Sequence, residues 1–177
     1  RGIALMRRAF AARPTILVLG VLALGACATP ATRAPDAVAD SGAPTPTPGL
    51  DWFDHRDGDA LSLAYGRETS DDLRLRLDCV AGSGTLTLTA SAEGADRMIH
   101  LESGGDTERF PAVREPSGLG DGDLLIASDV ALREPVFQRF RAVGWIAAWR
   151  GDAREVYAPH TGSKAAVSRF FDGCDPG

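Results

Sequence analysis

The sequence has little lysine, few cysteines and no apolar run long enough to cross a membrane. Eighteen of its nineteen basic residues are arginine and only Lys164 is lysine, a skew that identifies no partner. The longest apolar stretch, Thr15 to Ala26, has about a dozen residues, whereas a spanning helix needs about twenty. With 177 residues, the chain is long enough for one ordinary domain but not for two.

The sequence also lacks the motifs of several enzyme classes. The three histidines, His55, His100 and His160, lie in different segments without the spacing of a zinc site. No Gly-x-Ser-x-Gly nucleophile motif and no Cys-x-x-Cys redox motif occurs. The stretch "DHRDGD", residues 54–59, breaks the spacing of a calcium loop and is typical of a solvated turn. We therefore expect no catalytic residue, no metal and no cofactor.

Residues 1–26 have the pattern of a secretory signal peptide. Arg7, Arg8 and Arg13 follow Met6, and an apolar stretch ending in small residues comes next, with no acidic residue. We predict that residues 1–26 are the signal peptide and that translation starts at Met6.

The end of this leader, Leu24-Gly25-Ala26-Cys27, resembles the bacterial lipobox. The resemblance implies that Cys27 becomes the acylated first residue, where two or three acyl chains hold a protein firmly on a membrane. In Gram-negative families an Asp after the cysteine retains the protein at the inner membrane. Ala28 stands there, so the resemblance implies the periplasmic face of the outer membrane. The alternative is an ordinary cleavage site followed by a chance cysteine.

A proline-rich segment follows the cysteine and separates it from the rest of the chain. Residues 28–49 contain five prolines and almost no large apolar side chain, a composition typical of an extended tether. We assign residues 27–49 to the acylated cysteine and tether, and residues 50–177 to a globular periplasmic domain. From residue 28 onward the chain has fifteen basic and twenty-four acidic residues. This acidity argues against nucleic acid as a partner and against electrostatic adhesion to anionic lipid.

The two remaining cysteines are predicted to face the core. In "DLRLRLDC" a period of two places Cys79 on the apolar face of a strand with Leu75 and Leu77. Near the C-terminus, helical spacing places Phe170 and Cys174 on one face. A disulfide between Cys79 and Cys174 is expected in an oxidising compartment. Two reduced thiols or a metal pair are the alternatives.

Most of the remaining domain has the alternation of short strands. Candidate strands are "ALSLAYG", "GTLTLTAS", "RMIHLES", "DLLIASDV", "WIAAWRG" and "REVYAPH". One helix is predicted in "EPVFQRFRAVG" and a second at the C-terminus, with Ser163 as its N-cap and Gly173 as its stop. The sequence therefore predicts an α+β domain, mainly antiparallel β with one or two helices, whose C-terminal helix is tied to a strand by the disulfide.

One polar surface is a candidate binding face. Alternation places five side chains together on the outer side of the hairpin predicted for "DLRLRLDC" and "GTLTLTAS": Arg74, Arg76, Thr85, Thr87 and Thr89. The alternative is an ordinary solvated sheet face. Trp145 and Trp149 share one side of a strand and are interpreted as core or rim residues rather than a ligand platform.

Two family resemblances follow from the order of these features. The stretch "ETSDDLRLRLDC", with a final helix ending at Cys174, resembles periplasmic proteins of the TagO type associated with type VI secretion. Ser103-Gly104 is similar to the Ser-Gly loop of membrane-bound lysozyme inhibitors, although the aromatic residue that follows that loop is absent.

These features together predict an outer-membrane lipoprotein whose periplasmic domain binds a protein or envelope component without catalysis. An inhibitor of a hydrolase such as lysozyme is the first alternative, because an acidic domain could bind a basic enzyme. A hydrolase with a dispersed site is the second.

Overall fold

Ten antiparallel strands in two sheets, with two helices, make up the part of the chain described by the computed structural model, which covers residues 43–70, 72–118 and 122–177. In chain order the elements are β1 (Asp51–Asp57), β2 (Ala60–Gly66), β3 (Leu73–Val80), β4 (Thr85–Ser91), β5 (Met98–Ser103), β6 (Asp106–Pro111), β7 (Val113–Pro116), β8 (Asp123–Ala131), α1 (Pro135–Val143), β9 (Ile146–Arg150), β10 (Ala153–Tyr157) and α2 (Lys164–Cys174). The six-stranded sheet has the order β1-β2-β3-β4-β8-β7, and the four-stranded sheet has the order β10-β9-β5-β6.

These elements belong to one compact unit that spans Val38–Gly177. The predicted signal peptide, Cys27 and the tether up to residue 42 lie outside the described residues. None of the helices in the described part of the chain is long and apolar enough to span a membrane.

The predicted fold class is confirmed, and period-two alternation is its cause. In β3 the side chains of Leu75, Leu77 and Cys79 are buried, as are Leu86 and Leu88 in β4. Both of these strands thus turn an apolar face toward a shared core and a polar face outward. The strands β1, β6 and β7 were missed from the sequence because their residues do not alternate in this way; "DHRDGD" lies mostly within β1 rather than in a turn.

Both predicted helices are present, and glycine has a different role near the end of each. Helix α1 has Pro135 in its first turn and ends at Gly144, which adopts a left-handed conformation with φ 85°. Helix α2 continues through Gly173 to Cys174, so the prediction that Gly173 stops the helix is wrong. A Cβ at this position would lie 2.6 Å from Leu61 Cδ1, which indicates that glycine serves close packing of α2 on β2.

The predicted disulfide joins Cys79 of β3 to Cys174 of α2. The two Cα atoms lie 6.0 Å apart, a usual separation for a disulfide, and both residues are buried. The crosslink therefore fixes the last turn of α2 to β3, a central strand of the six-stranded sheet.

Replacing both cysteines, Cys79→Ala with Cys174→Ala, should lower the free energy of unfolding by about 4 kcal/mol. The reason is that the disulfide restrains an unfolded loop spanning 95 positions of sequence separation. Urea denaturation of the oxidised wild type and the double variant measures the difference. A wild-type midpoint that does not move when reductant is added would contradict this prediction.

Candidate functional site

The predicted binding face is divided in the structure. Arg76, Thr87 and Thr89 lie on the outer side of the six-stranded sheet, where Arg76 pairs with Thr89 in register and Asp78 pairs with Thr87. Thr85, at the start of β4, is exposed on the same side. Arg76 Nε donates to Asp78 Oδ1 at 2.8 Å and to Ser62 Oγ at 3.1 Å. Its guanidinium group is therefore already tied to neighbouring side chains.

The structure places Arg74 away from this face. The register between β2 and β3 shifts where Tyr65 pairs with Leu75 but Gly66 pairs with Leu73, so Arg74 is the extra residue of a bulge. Its Nε lies 2.8 Å from Asp72 Oδ1, and its Nη1 lies 3.8 Å from Glu155 Oε1 in the four-stranded sheet. The bulge therefore turns Arg74 toward the other sheet.

A second outward surface, on the four-stranded sheet, brings aromatic and charged side chains together. Trp149 of β9 pairs in register with Arg154 of β10 on one side and with His100 of β5 on the other, and His100 pairs with Arg109 of β6. These four side chains form one row across the sheet. Glu102 and Thr107 oppose each other in the next row, and Trp145 precedes β9. We call this surface the tryptophan face; it comprises His100, Glu102, Thr107, Arg109, Trp145, Trp149 and Arg154.

Glu102 fixes the positions of two neighbours on the tryptophan face. Its Oε2 accepts from Trp149 Nε1 at 3.1 Å and from Arg154 Nε at 2.8 Å, while its Oε1 accepts from Arg154 Nη2 at 2.8 Å. The hydrogen bonds from Arg154 hold the pKa of Glu102 below its usual value, and the bond from Trp149 acts in the same direction. Glu102 is therefore an ionised acceptor that orients both the indole and the guanidinium group.

Arg154 also covers part of Trp145. Its guanidinium carbon lies 5.6 Å from the centroid of the Trp145 ring, a distance typical of a cation–π contact. Ala147 lies between the two tryptophans in sequence and opposite Glu102 in register. The face of Trp145 is thus partly occupied by protein, whereas Trp149 borders an open depression.

His100 is held on the other side of Trp149. The two rings are nearly parallel, at an interplanar angle of 18° with centroids 5.8 Å apart. Thr107 Oγ1 lies 2.8 Å from His100 Nε2 and 3.2 Å from Leu101 O, and the tautomer of His100 decides which atom donates in the His100–Thr107 hydrogen bond. Partial burial lowers the pKa of His100, and the nearby Arg109 charge lowers it further, so the imidazole is neutral at pH 7.

A shallow depression of about 700 Å³ lies beside these residues. It is lined by the rings of Trp149 and His100 and by four polar or charged side chains: Glu102, Thr107, Glu108 and Arg109. The hairpin turn at Gly104 and Gly105 closes one end, and both glycines have positive φ, as a two-residue hairpin turn of this kind requires. In the described part of the chain Arg109 forms no ion pair, so its guanidinium group is free to bind an anion.

Three other observations bear on the alternative functions. Ser163 Oγ donates to the carboxylate of Asp51, and the ring of His160 contacts Thr47 O at 3.3 Å, so these three residues are not arranged as a catalytic triad. Among residues 43–70, 72–118 and 122–177, no three His, Cys, Asp or Glu side chains are grouped closely enough to hold a metal ion. Ser103 is buried and donates to Trp145 O at 2.7 Å, so its hydroxyl does not face a partner.

Comparison of the chain with protein-family models, with curated proteins and with solved structures finds no match. The chemistry of the tryptophan face is therefore inferred from its own residues.

The sequence interpretation placed Trp145 and Trp149 in the core or at its rim, and both side chains are half-buried on the outer side of the sheet, which fits a rim position. That interpretation did not bring them together with His100, Glu102 and Arg154 on one surface. The available signal was the alternation in "WIAAWR" together with that in "MIHLES", which places each set of side chains on one side of its own strand. What was missing is that β9 lies beside β5, which brings Trp149 next to His100.

The variant Glu102→Gln should flatten the acid dependence of stability. The lowered pKa means that ionised Glu102 stabilises the fold above its unfolded-state pKa of about 4.3, and that this contribution disappears as the pH falls through the folded-state value. We expect the variant to be about 0.5–1 kcal/mol less stable at pH 7 and to approach the wild type near pH 3. Urea unfolding between pH 7 and pH 3 measures this.

Glu108→Gln is the matched control, because Glu108 lies on the same hairpin and forms no ion pair in the described part of the chain. A Glu102→Gln variant whose deficit persists unchanged at pH 3 would contradict the assigned role.

Proposed function

We propose that this protein is an acyl-anchored lipoprotein of the periplasmic face of the outer membrane, whose domain binds an envelope component without catalysis, through the tryptophan face. The lipobox-like sequence ending at Cys27 and the proline-rich segment after it support the anchor and tether. The buried disulfide between Cys79 and Cys174 is compatible with an oxidising compartment.

The observation that carries the binding proposal is the fixed geometry of the tryptophan face. Trp149 and Arg154 are both held by Glu102, and tryptophan and arginine are the residue types that contribute most to binding hot spots. Side chains that are already ordered lose less conformational entropy when a partner binds. This arrangement supports a preformed binding surface.

The variant Cys27→Ser should release the protein from membranes. Removal of the acylation site removes the acyl chains, which supply the attachment. Fractionation of native envelopes, with detection of the protein in membrane and soluble periplasmic fractions, measures the shift. A variant that stays with the membrane to the same extent as wild type would refute the anchor.

The variant Trp149→Ala should lose most of its crosslinking to an envelope component in intact cells, by about tenfold or more, because it removes the central aromatic side chain of the face. Crosslinked species are compared by mass between wild type and variant. Val113→Ala is the matched control, since Val113 is exposed on β7 in the other sheet. Equal crosslinking in wild type and Trp149→Ala would refute this surface as the binding site.

A further inference from the structure

The depression on the tryptophan face has the properties of a site for a hydrophilic ligand. It is shallow, and Thr107 and Arg109 supply a hydroxyl and a guanidinium group in addition to the rings of Trp149 and His100. An acyl chain or other apolar ligand needs an enclosed apolar cavity, which this surface does not form. A ligand bound here would stay partly hydrated and would hydrogen-bond to side chains at its edges.

The indole of Trp149 lines the depression in a fixed orientation, with the ring of His100 stacked beside it at 5.8 Å between centroids. Its Nε1–H is already used by Glu102, so rotation of the indole would break that hydrogen bond. An aromatic face carries partial negative charge and packs against the C–H groups of a saturated ring. A pyranose ring has such a C–H face, and its hydroxyl groups at the ring edge could reach Thr107.

The charge of the row favours an anionic group. Glu102 is neutralised by Arg154, which leaves Arg109 as the cation of the row without an ion pair in the described part of the chain. Glu108 also lines the depression, although it pairs in register with the buried Leu101 rather than with a residue of the row, and Arg109 is the one cation among the described residues that line it. Arg109 is therefore a local positive charge on a domain that is acidic overall, and it is complementary to a carboxylate.

We infer that the tryptophan face binds a carboxylate-bearing carbohydrate, with a sugar ring packed on Trp149 and the carboxylate paired with Arg109. This inference rests on the proposed function, because it specifies the envelope component that the same surface binds.

The test uses the secreted chain from Ala28 to Gly177, which retains the whole compact unit Val38–Gly177. Isothermal titration compares two soluble probes. One is an oligomer of N-acetylglucosamine and N-acetylmuramic acid, whose muramic residues carry carboxylates; the other is the neutral tetramer of N-acetylglucosamine. We expect the acidic oligomer to bind at least about tenfold more tightly than the neutral one, because only the acidic oligomer can pair with Arg109.

The variants assign each part of the ligand to a residue. Trp149→Ala should weaken binding of both oligomers by about tenfold or more, because both have a sugar ring. Arg109→Gln should weaken only the acidic oligomer and so abolish the difference between the two. Val113→Ala is again the control, and an unchanged thermal midpoint shows that each variant is folded.

Two outcomes would overturn the inference. One is no saturable binding of the acidic oligomer at millimolar concentration. The other is binding that Trp149→Ala or Arg109→Gln leaves unchanged. Failure of the proposed function is a separate result: crosslinking in cells that depends on Trp149, without binding of either oligomer, would reject the carbohydrate and retain the binding surface. Crosslinking that is independent of Trp149 would reject the surface as well.

Discussion

The indole of Trp52 is the contact on which the arrangement of sheets and helices depends. Its ring lies 5.1 Å from Tyr65 in the same sheet and 5.0 Å from Phe140 of α1, measured between centroids. Its Nε1 donates to Tyr157 O in the other sheet at 3.2 Å. Phe140 in turn contacts Phe171 of α2, with 5.5 Å between the ring centroids. One buried side chain on β1 thus connects both sheets with both helices, and large rings of this kind dominate core energetics.

This inner core determines which surfaces are available for binding. Phe137 of α1 stacks on Phe110 of β6 at 5.5 Å, so α1 covers the inner side of the four-stranded sheet. Arg139 of the same helix pairs with Asp106 near the β5–β6 turn and secures that end of the hairpin. Because the apolar residues of these strands are used on the inner side, the alternate residues are directed outward. The tryptophan face consists largely of these outward-directed side chains.

Local periodicity was sufficient to predict the fold class, and contacts between distant strands decided the rest. Cys79 and Cys174 could be placed on apolar faces from period-two and helical spacing alone, and the structure joins them. Arg74 could not be placed correctly, because the bulge depends on a close approach between Gly66 and the carbonyl oxygen of Asp72 that a Cβ would obstruct. The tryptophan face could not be predicted because strand order is not a local property. Trp149 and His100 are separated in sequence by four other elements, β6, β7, β8 and α1, but their strands are neighbours in the sheet.

The way in which the tryptophan face uses its hydrogen bonds supports a role in binding. The carboxylate of Glu102 accepts hydrogen bonds from Trp149 and Arg154. The strongest acceptor of the surface therefore orients its neighbours and is not free for a ligand. If stability alone were the requirement, an exposed pair of this kind would contribute little, about 0–1 kcal/mol. Its larger effect is to hold an aromatic ring in one orientation beside Arg109, which forms no ion pair with the residues that the structure describes. An aromatic ring that is already ordered loses less entropy on binding, so this arrangement supports the proposed binding of an anionic ligand.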